Sequence, residues 1–270
     1  MKSINLKKPD KIIFSGDWHG DLLRAREVIE HARENNVEYV IQLGDFGLWS
    51  GEKGSRYVEK INEVASLNKV IILWVDGNHE DFTHLYSYEL EENGLREIAE
   101  NIYHLPRNFQ WEWDNLKFRA LGGATSLDRQ QRVEGLDWWS QESITYQEAE
   151  KSIEMGECDI LLTHDCPEGV AIPGIDKITS LKFWPESALR TAWAHRDKLK
   201  EVVEEVRPKI IYHGHFHVKY DSTYESNGTL LTNVHGLSDN NSTLAENTLI
   251  LHLSEIKKEV EEVLNRRGEF

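Results

Sequence analysis

The sequence predicts an α/β protein in a single domain, and three observations support that prediction. Short apolar, β-branched runs alternate with segments of helical periodicity through the first 80 residues. Each of these runs leads to a glycine and a polar residue, as strands do where they enter a loop at a sheet edge. The 270 residues contain no internal repeat and no low-complexity linker, so one domain over residues 1–270 is simpler than two small ones.

The first half predicts three strands and two helices. Apolar runs predict strands at residues 11–14, 38–45 and 69–78. Apolar residues spaced three or four apart predict helices at residues 21–36 and 55–68. Asp21 lies just before Leu22, and an aspartate at that position is expected to cap the first helix.

The second half is less regular but contains the same two patterns. Strand-like runs lie at residues 115–124, 158–167, 208–215, 228–234 and 247–253. A long helix is predicted at residues 185–206 because Pro185 suits a first helical position and apolar residues follow at helical spacing. Residues 254–267 predict a closing amphipathic helix.

Composition limits the classes of function and the cellular location that we expect for this chain. With 31 Lys and Arg against 47 Asp and Glu, the formal net charge is −16, which lacks the basic footprint of a general nucleic-acid-binding protein. An acidic protein that binds phosphate needs local positive charge, and a bound metal ion would supply it. Two cysteines argue against a disulfide framework, and no apolar run suits a signal peptide or a membrane span. We therefore expect a cytoplasmic protein with no membrane partner.

Side chains that bind metals follow five of the predicted strands. In chain order they are Asp17 and His19, then Asp45, then Asn78 and His79, then His164, then His215 and His217. Functional residues of α/β sheets gather in loops beyond the carboxyl ends of strands, so we expect these side chains to meet at one edge. Carboxylate oxygen, imidazole nitrogen and amide oxygen suit divalent Mn, Fe or Zn without a thiolate ligand.

The pattern favours two ions over one. A single carboxylate can bridge two ions about 3.5–4 Å apart, the separation typical of two-metal hydrolases. Such a pair acidifies a shared water, so that a bridging hydroxide is available near neutral pH, and it neutralises the oxygens of a phosphate under in-line attack.

Five short segments carry a resemblance to a known family. GDWHG, LGDFG, GNHE, THD and GHFH span residues 16–217, and together they resemble the calcineurin-like metallophosphoesterase superfamily, in particular its bacterial and phage members. The resemblance implies a four-layer α/β/β/α sandwich of two mixed β-sheets flanked by helices. It also implies two divalent ions, with Mn favoured over Fe, Zn, Ni or Co.

The resemblance assigns a role to each of these residues. Asp17, His19 and His217 would hold the first ion. Asn78, His164 and His215 would hold the second. Asp45 would bridge the two ions, and His79 would protonate the leaving group or steady the phosphate.

Departures from the family pattern bear on the substrate. Asp45 is followed by Phe46 and Gly47 rather than by the Arg-Gly of protein Ser/Thr phosphatases, and those enzymes lack the paired His-x-His of residues 215 and 217. Both differences favour a phosphodiester or a nucleotide-like small substrate. A protein Ser/Thr phosphatase and a dinucleoside polyphosphate hydrolase remain alternatives. A catalytically inert scaffold is a third, although the retained ligand set favours an enzyme.

Residues 120–142 resemble a segment of bacterial and phage members and are a candidate for substrate binding. Arg129 and Arg132 could fork onto a phosphate, since the guanidinium suits that geometry. Trp138 and Trp139 could stack on a base. The alternative is that the tryptophans pack a loop and the arginines pair with neighbouring acids.

Overall fold

The computed structural model describes residues 6–175, 183–226 and 230–269. Within these residues the chain forms twelve strands. They are β1 Lys11–Ser15, β2 Tyr39–Gln42, β3 Ile71–Trp74, β4 Arg96–Ala99, β5 Ile102–His104, β6 Gln110–Trp113, β7 Leu116–Leu121, β8 Ile160–Thr163, β9 Ile210–His213, β10 Tyr220–Ser226, β11 Leu230–Gly236 and β12 Thr248–His252. The α-helices are Leu22–Glu34, Gly51–Asn68, Phe82–Leu85, Tyr146–Glu154, Glu186–Val206, Leu244–Asn247 and Leu253–Arg267.

The strands form two six-stranded sheets. The first has the order β12-β1-β2-β3-β5-β4 and the second β10-β11-β9-β8-β7-β6. The four inner strands of each sheet run parallel, and each edge strand is antiparallel to its neighbour. Both sheets are therefore mixed, as expected.

Three apolar clusters separate four layers. One cluster lies between the sheets and includes Phe14 of β1, which stacks on Tyr212 of β9 with ring centroids 4.0 Å apart. A second joins the outer face of the first sheet to helices Leu22–Glu34 and Gly51–Asn68. A third joins the second sheet to helix Glu186–Val206. This arrangement confirms the predicted α/β/β/α sandwich.

Helix boundaries follow local rules where the sequence shows them. Asp21 caps the first helix as expected, since its carboxylate accepts the backbone N–H groups of Leu23 and Arg24. The second helix begins at Gly51, four residues before the predicted start, because Gly51 and Gly54 obscure the helical pattern there. Pro185 occupies the N-cap position of the long helix, which begins one residue later than expected.

The sequence did not predict several of the strands. Strands β4 (REIA) and β6 (QWEW) mix charged or polar residues with apolar ones, β5 has only three residues, and β10 carries the polar run YDSTYES, so none has a clear apolar signal. These strands exist because a neighbouring strand supplies their hydrogen bonds. Of the predicted strand at 228–234, residues 228 and 229 lie outside the described residues. No described helix combines the length and apolar character needed to cross a membrane.

Candidate metal centre

The strand-end residues of both sheets meet in one place. Asp17 and His19 follow β1, Asp45 follows β2, His164 follows β8, and His217 follows β9. Three groups of side chains each bring their potential ligand atoms within 4.8 Å of one another. The groups are Asp17, His19 and His217; His19, Asp45 and His79; and Asp17, Asp45 and His164.

Asp45 lies where these groups join. Its Oδ2 is 3.3 Å from His19 Nε2 and also 3.3 Å from His164 Nε2. Its Oδ1 accepts the backbone N–H of His79 at 2.8 Å. Gly77 makes this approach feasible, because a Cβ there would overlap Asp45 Oδ1. One carboxylate oxygen therefore faces an imidazole from each side.

The two carboxylate oxygens of Asp17 differ in their hydrogen-bond partners. Its Oδ1 accepts the backbone N–H of His215 at 3.0 Å. Its Oδ2 is buried and finds no hydrogen-bond donor of suitable geometry among the described residues, although His217 Nε2 lies 3.1 Å away. A buried carboxylate oxygen without a donor is costly, and a cation would satisfy it. The donor set thus fits divalent ions.

The histidine tautomers also suit ligation. His164 Nδ1 donates to the carbonyl of Leu43 at 2.7 Å, which leaves Nε2 facing Asn78 Oδ1 at 3.2 Å. His19 Nδ1 donates to Asn240 Oδ1 at 2.9 Å, which leaves its Nε2 toward Asp45. Metal-ligating histidines commonly donate their other ring N–H to an oxygen in this way.

Asn78 and His215 lie on the same side of the centre as His164. Asn78 Nδ2 donates to Ser126 Oγ at 3.0 Å, so its amide oxygen is turned toward His164. The ring of His215 lies 5.1 Å from that of His164, centroid to centroid. His215 belongs to none of the three close groups, so its proposed role depends on this ring contact alone.

The negative charge of the carboxylates dominates the cluster and raises the pKa values of two of its histidines. Burial opposes protonation of His164, but the nearby charges of Asp45 and Asp17 outweigh it and raise the pKa of His164 to about 10. Burial likewise opposes protonation of His19, yet a hydrogen bond and the charge of Asp45 raise its pKa to about 9. Burial lowers the pKa of His215 to about 4, which keeps that ring neutral. A divalent ion bound to His164 and His19 would displace their Nε2 protons and offset the same carboxylate charge.

The backbone at the centre is unusual. His19, Asp45, His215 and His217 have positive φ angles of 46°, 54°, 69° and 55°. Outside this cluster, the described non-glycine residues with positive φ are four Asn or Asp residues and the helix C-caps Lys69 and Arg207. Left-handed backbone at histidine is uncommon and is concentrated at functional sites.

His79 has a cationic neighbour that the sequence did not reveal. Arg132 Nη1 lies 2.9 Å from His79 Nδ1 and 3.1 Å from the carbonyl of Asp137. Arg132 Nη2 donates to Asp128 Oδ2 at 2.7 Å. Because a guanidinium only donates, His79 Nδ1 is the acceptor, and the proton of a neutral ring is on Nε2. Burial and the charge of Arg132 lower the pKa of His79, although Asp45 opposes this.

The structure separates the two arginines of the 120–142 segment. Arg132 lines a cavity beside His79, whereas Arg129 lies over the ring of Trp138 at 4.8 Å. Trp138 and Trp139 are both buried, and Trp139 Nε1 donates to Thr83 Oγ1 at 2.9 Å. Packing therefore accounts for Trp138 and for Arg129, while Trp139 also lines the cavity.

Other residues that support the cluster were missed from the sequence. Glu80 is buried and accepts the backbone N–H groups of Phe46, Gly47 and Leu48, which holds the loop after Asp45. Burial, reinforced by the charge of Asp45, raises the pKa of Glu80 to about 8. Its position within GNHE was the one available signal.

Glu142, which the sequence did not indicate, orients Asn78 through Ser126. Glu142 accepts the Ser126 hydroxyl at 2.6 Å and its backbone N–H at 3.0 Å. Ser126 in turn accepts from Asn78. His235 of β11 contacts none of these residues in the same way and lies between Asp221 and Glu259, at 2.6 and 2.8 Å.

The two-sheet sandwich with an Asp/His cluster at its strand ends defines a class of metal-binding hydrolases. The family model of the calcineurin-like phosphoesterases matches residues 10–219, and the chain belongs to this family. It is accordingly a phosphoric ester hydrolase of a family that binds divalent metal ions. The resemblance to the calcineurin-like superfamily is thereby confirmed.

Solved structures share the fold at low identity. A protein of Thermus thermophilus, TT1561, is 10% identical, with a TM-score of 0.50, over 91% of this chain and 99% of its own. A dimetal phosphatase from Danio rerio is 13% identical, with a TM-score of 0.51, over 91% of this chain and 93% of its own. No curated protein gives a significant match to the chain.

Proposed function

We propose that the protein is a dinuclear metal-dependent phosphoesterase that acts on small phosphodiesters or nucleotide-like substrates. Asp17, His19 and His217 would hold one ion, and Asn78, His164 and His215 would hold the other. Asp45, which lies between the two sets, would contribute to both. The observation that carries the proposal is the position of Asp45 Oδ2, which lies 3.3 Å from an imidazole nitrogen on either side.

When bound, the ions supply positive charge to the phosphate oxygens and acidify the attacking water. Manganese is the metal that the family resemblance favours, and the carboxylate, amide and imidazole ligands suit it as they suit Fe or Zn. The chain's own residues supply the rest. His79 carries its proton on Nε2 because Arg132 occupies Nδ1, and this N–H is the proton donor in a hydrogen bond that stabilises charge developing on the leaving oxygen.

The size and setting of the site support a small substrate. A cavity of about 490 Å³ lies beside His79 and His19, within the range that holds small-molecule ligands. Asp45 is followed by Phe46 rather than by arginine, which sets the chain apart from protein Ser/Thr phosphatases. The two cysteines are free and buried, as expected for the cytosolic location that we infer.

The test combines metal content with turnover. Protein stripped with a chelator and reloaded with Mn²⁺ should bind two ions per chain by elemental analysis. It should then hydrolyse p-nitrophenyl phosphate and bis(p-nitrophenyl) phosphate, with the diester preferred. One ion per chain at saturation would contradict the dinuclear centre. Two ions without turnover of either ester would favour an inert scaffold instead.

A further inference from the structure

The cavity beside His79 has walls that are not needed to hold metal ions. His19 and His79 form the side nearest the candidate centre, and Trp49, Leu136 and Trp139 form much of the rest. Since His79 is the proposed proton donor, whatever occupies this cavity lies beside the oxygen that leaves phosphorus. The cavity is therefore placed for the leaving group rather than for the phosphate.

One part of the cavity wall presents hydrocarbon. Trp49 Nε1 donates to the carbonyl of His79 at 2.7 Å, and Trp139 Nε1 donates to Thr83 Oγ1 at 2.9 Å. Both indole N–H groups are thus already satisfied, so the two rings offer apolar surface to an occupant. Leu136 is 72% exposed at the same cavity and would be covered by an occupant. Aromatic and apolar walls of this kind suit a flat organic group.

The charges around the cavity disfavour an anion. Arg132 is the one Lys or Arg among the described lining residues, and its guanidinium is already paired with Asp128 at 2.7 Å. Asp81 and Asp137 also line the cavity. The chain as a whole carries a formal charge of −16. A leaving group with further phosphates would meet repulsion here that an uncharged one would not.

We propose that this cavity receives the leaving group of the ester and selects an uncharged planar group, of the aryl or nucleoside class, over a group that carries further phosphates. This inference rests on the proposed function. In the reaction, the oxygen of water forms its bond to phosphorus as the bond to the leaving oxygen breaks. The leaving oxygen accepts a hydrogen bond from His79 Nε2–H as it departs and takes its proton from solvent, while the attacking water releases one proton to solvent.

The test compares two diesters in the manganese-loaded enzyme. Both are methyl aryl phosphates, one with p-nitrophenol and one with p-carboxyphenol as the leaving group, so that their cavity groups differ in charge. Comparing the ratio of their kcat/KM values between variants cancels the difference in their intrinsic reactivity. ADP serves as a third substrate whose leaving group is itself a phosphate.

Two conservative variants probe the walls. Leu136→Ala should lower kcat/KM for the p-nitrophenyl diester by about three- to tenfold, mainly through KM, because apolar contact is lost. Asp137→Asn should shift the ratio toward the p-carboxyphenyl diester by about two- to fivefold, since a nearby partly screened charge is removed. Asn keeps the oxygen that accepts the backbone N–H of Val133, so the local fold is preserved. Leu67→Ala, at a leucine that is 84% exposed on helix Gly51–Asn68, is the control and should change neither value.

The possible outcomes distinguish a failure of the leaving-group proposal from a failure of the proposed function. If both cavity variants behave like Leu67→Ala, or if the wild type prefers ADP to the p-nitrophenyl diester, the cavity does not select the leaving group. The phosphoesterase proposal would survive that result. If the metal-loaded wild type hydrolyses none of the three substrates, the proposed function itself fails.

Discussion

The two sides of the candidate metal centre differ in how the fold holds them. On one side, His164 is fully buried and is fixed by a backbone carbonyl. On the other side, His217 is 46% exposed, and Asp239 Oδ2 lies 3.6 Å from its Nδ1. His19 on that side bonds to the side chain of Asn240. Packing and a backbone carbonyl therefore fix the His164 ring, whereas polar side chains near the surface hold the two histidine rings of the open side.

Because of this difference, we expect the two ions to be bound with different strength. Ligands that are buried and oriented before binding lose little freedom when an ion arrives. Ligands near solvent must be ordered at the same time. We therefore expect the ion held by Asn78, His164 and His215 to be retained longer under chelation than the ion held by Asp17, His19 and His217.

The largest effect is expected where the two sides join. Asp45→Asn removes the shared negative charge, so both ions should be lost together. Turnover should fall by more than the roughly 10²–10⁴-fold that a single general acid contributes. Metal content by elemental analysis and turnover of bis(p-nitrophenyl) phosphate check this. Asp10→Asn, at a carboxylate that is 83% exposed, is the matched control. Retention of one full equivalent of metal in Asp45→Asn would show that Asp45 does not bridge.

A smaller loss is expected at the proton donor. His79→Ala should keep both ions and lower turnover by about 10²–10⁴-fold, most for esters with poor leaving groups. Arg132→Ala should lower turnover in the same substrate-dependent way, because Arg132 holds His79 Nδ1 at 2.9 Å. The double variant should be no worse than His79→Ala, since the second change acts through the first.

Two results would change these roles. A loss of metal in His79→Ala would make His79 a ligand, as its membership of a close group with His19 and Asp45 allows. A fully additive double variant, with a raised KM for every substrate, would mean that Arg132 binds the phosphate directly. Arg129→Ala, on the same segment but stacked on Trp138, is the control for a general disturbance of the loop.

The smallest effect concerns stability and compares the two sides directly. In metal-free protein, His164→Asn breaks a buried pair with Asp45 and should lower the free energy of unfolding by about 3–5 kcal/mol. His217→Asn acts at a half-exposed ring whose contact with the buried Asp17 lacks hydrogen-bond geometry, and it should cost less, about 0–1 kcal/mol. Urea unfolding in the presence of a chelator measures both. Equal losses for the two variants would remove the distinction between a rigid and an open side.

The sequence alone determined the fold class and which residues could form the centre. Strand signals were strong for β1, β2, β3, β8 and β9 because these strands are buried and apolar, and their Gly-polar endings marked the loops. The cap at Asp21 was also readable, since capping depends on residues within three positions. The individual roles of the eight candidate residues stay predictions.

Only the tertiary structure decided how those residues are oriented and which arginine reaches them. Asn240 bonds His19 across 221 positions, and Ser126 bonds Asn78 across 48, so no local pattern could reveal either contact. Arg129 and Arg132 lie three residues apart and looked equivalent, yet one stacks on Trp138 and the other bonds His79. Local sequence specifies strands and caps through short-range sterics and hydrogen bonds, whereas the geometry of a site depends on contacts that form only when distant segments pack together.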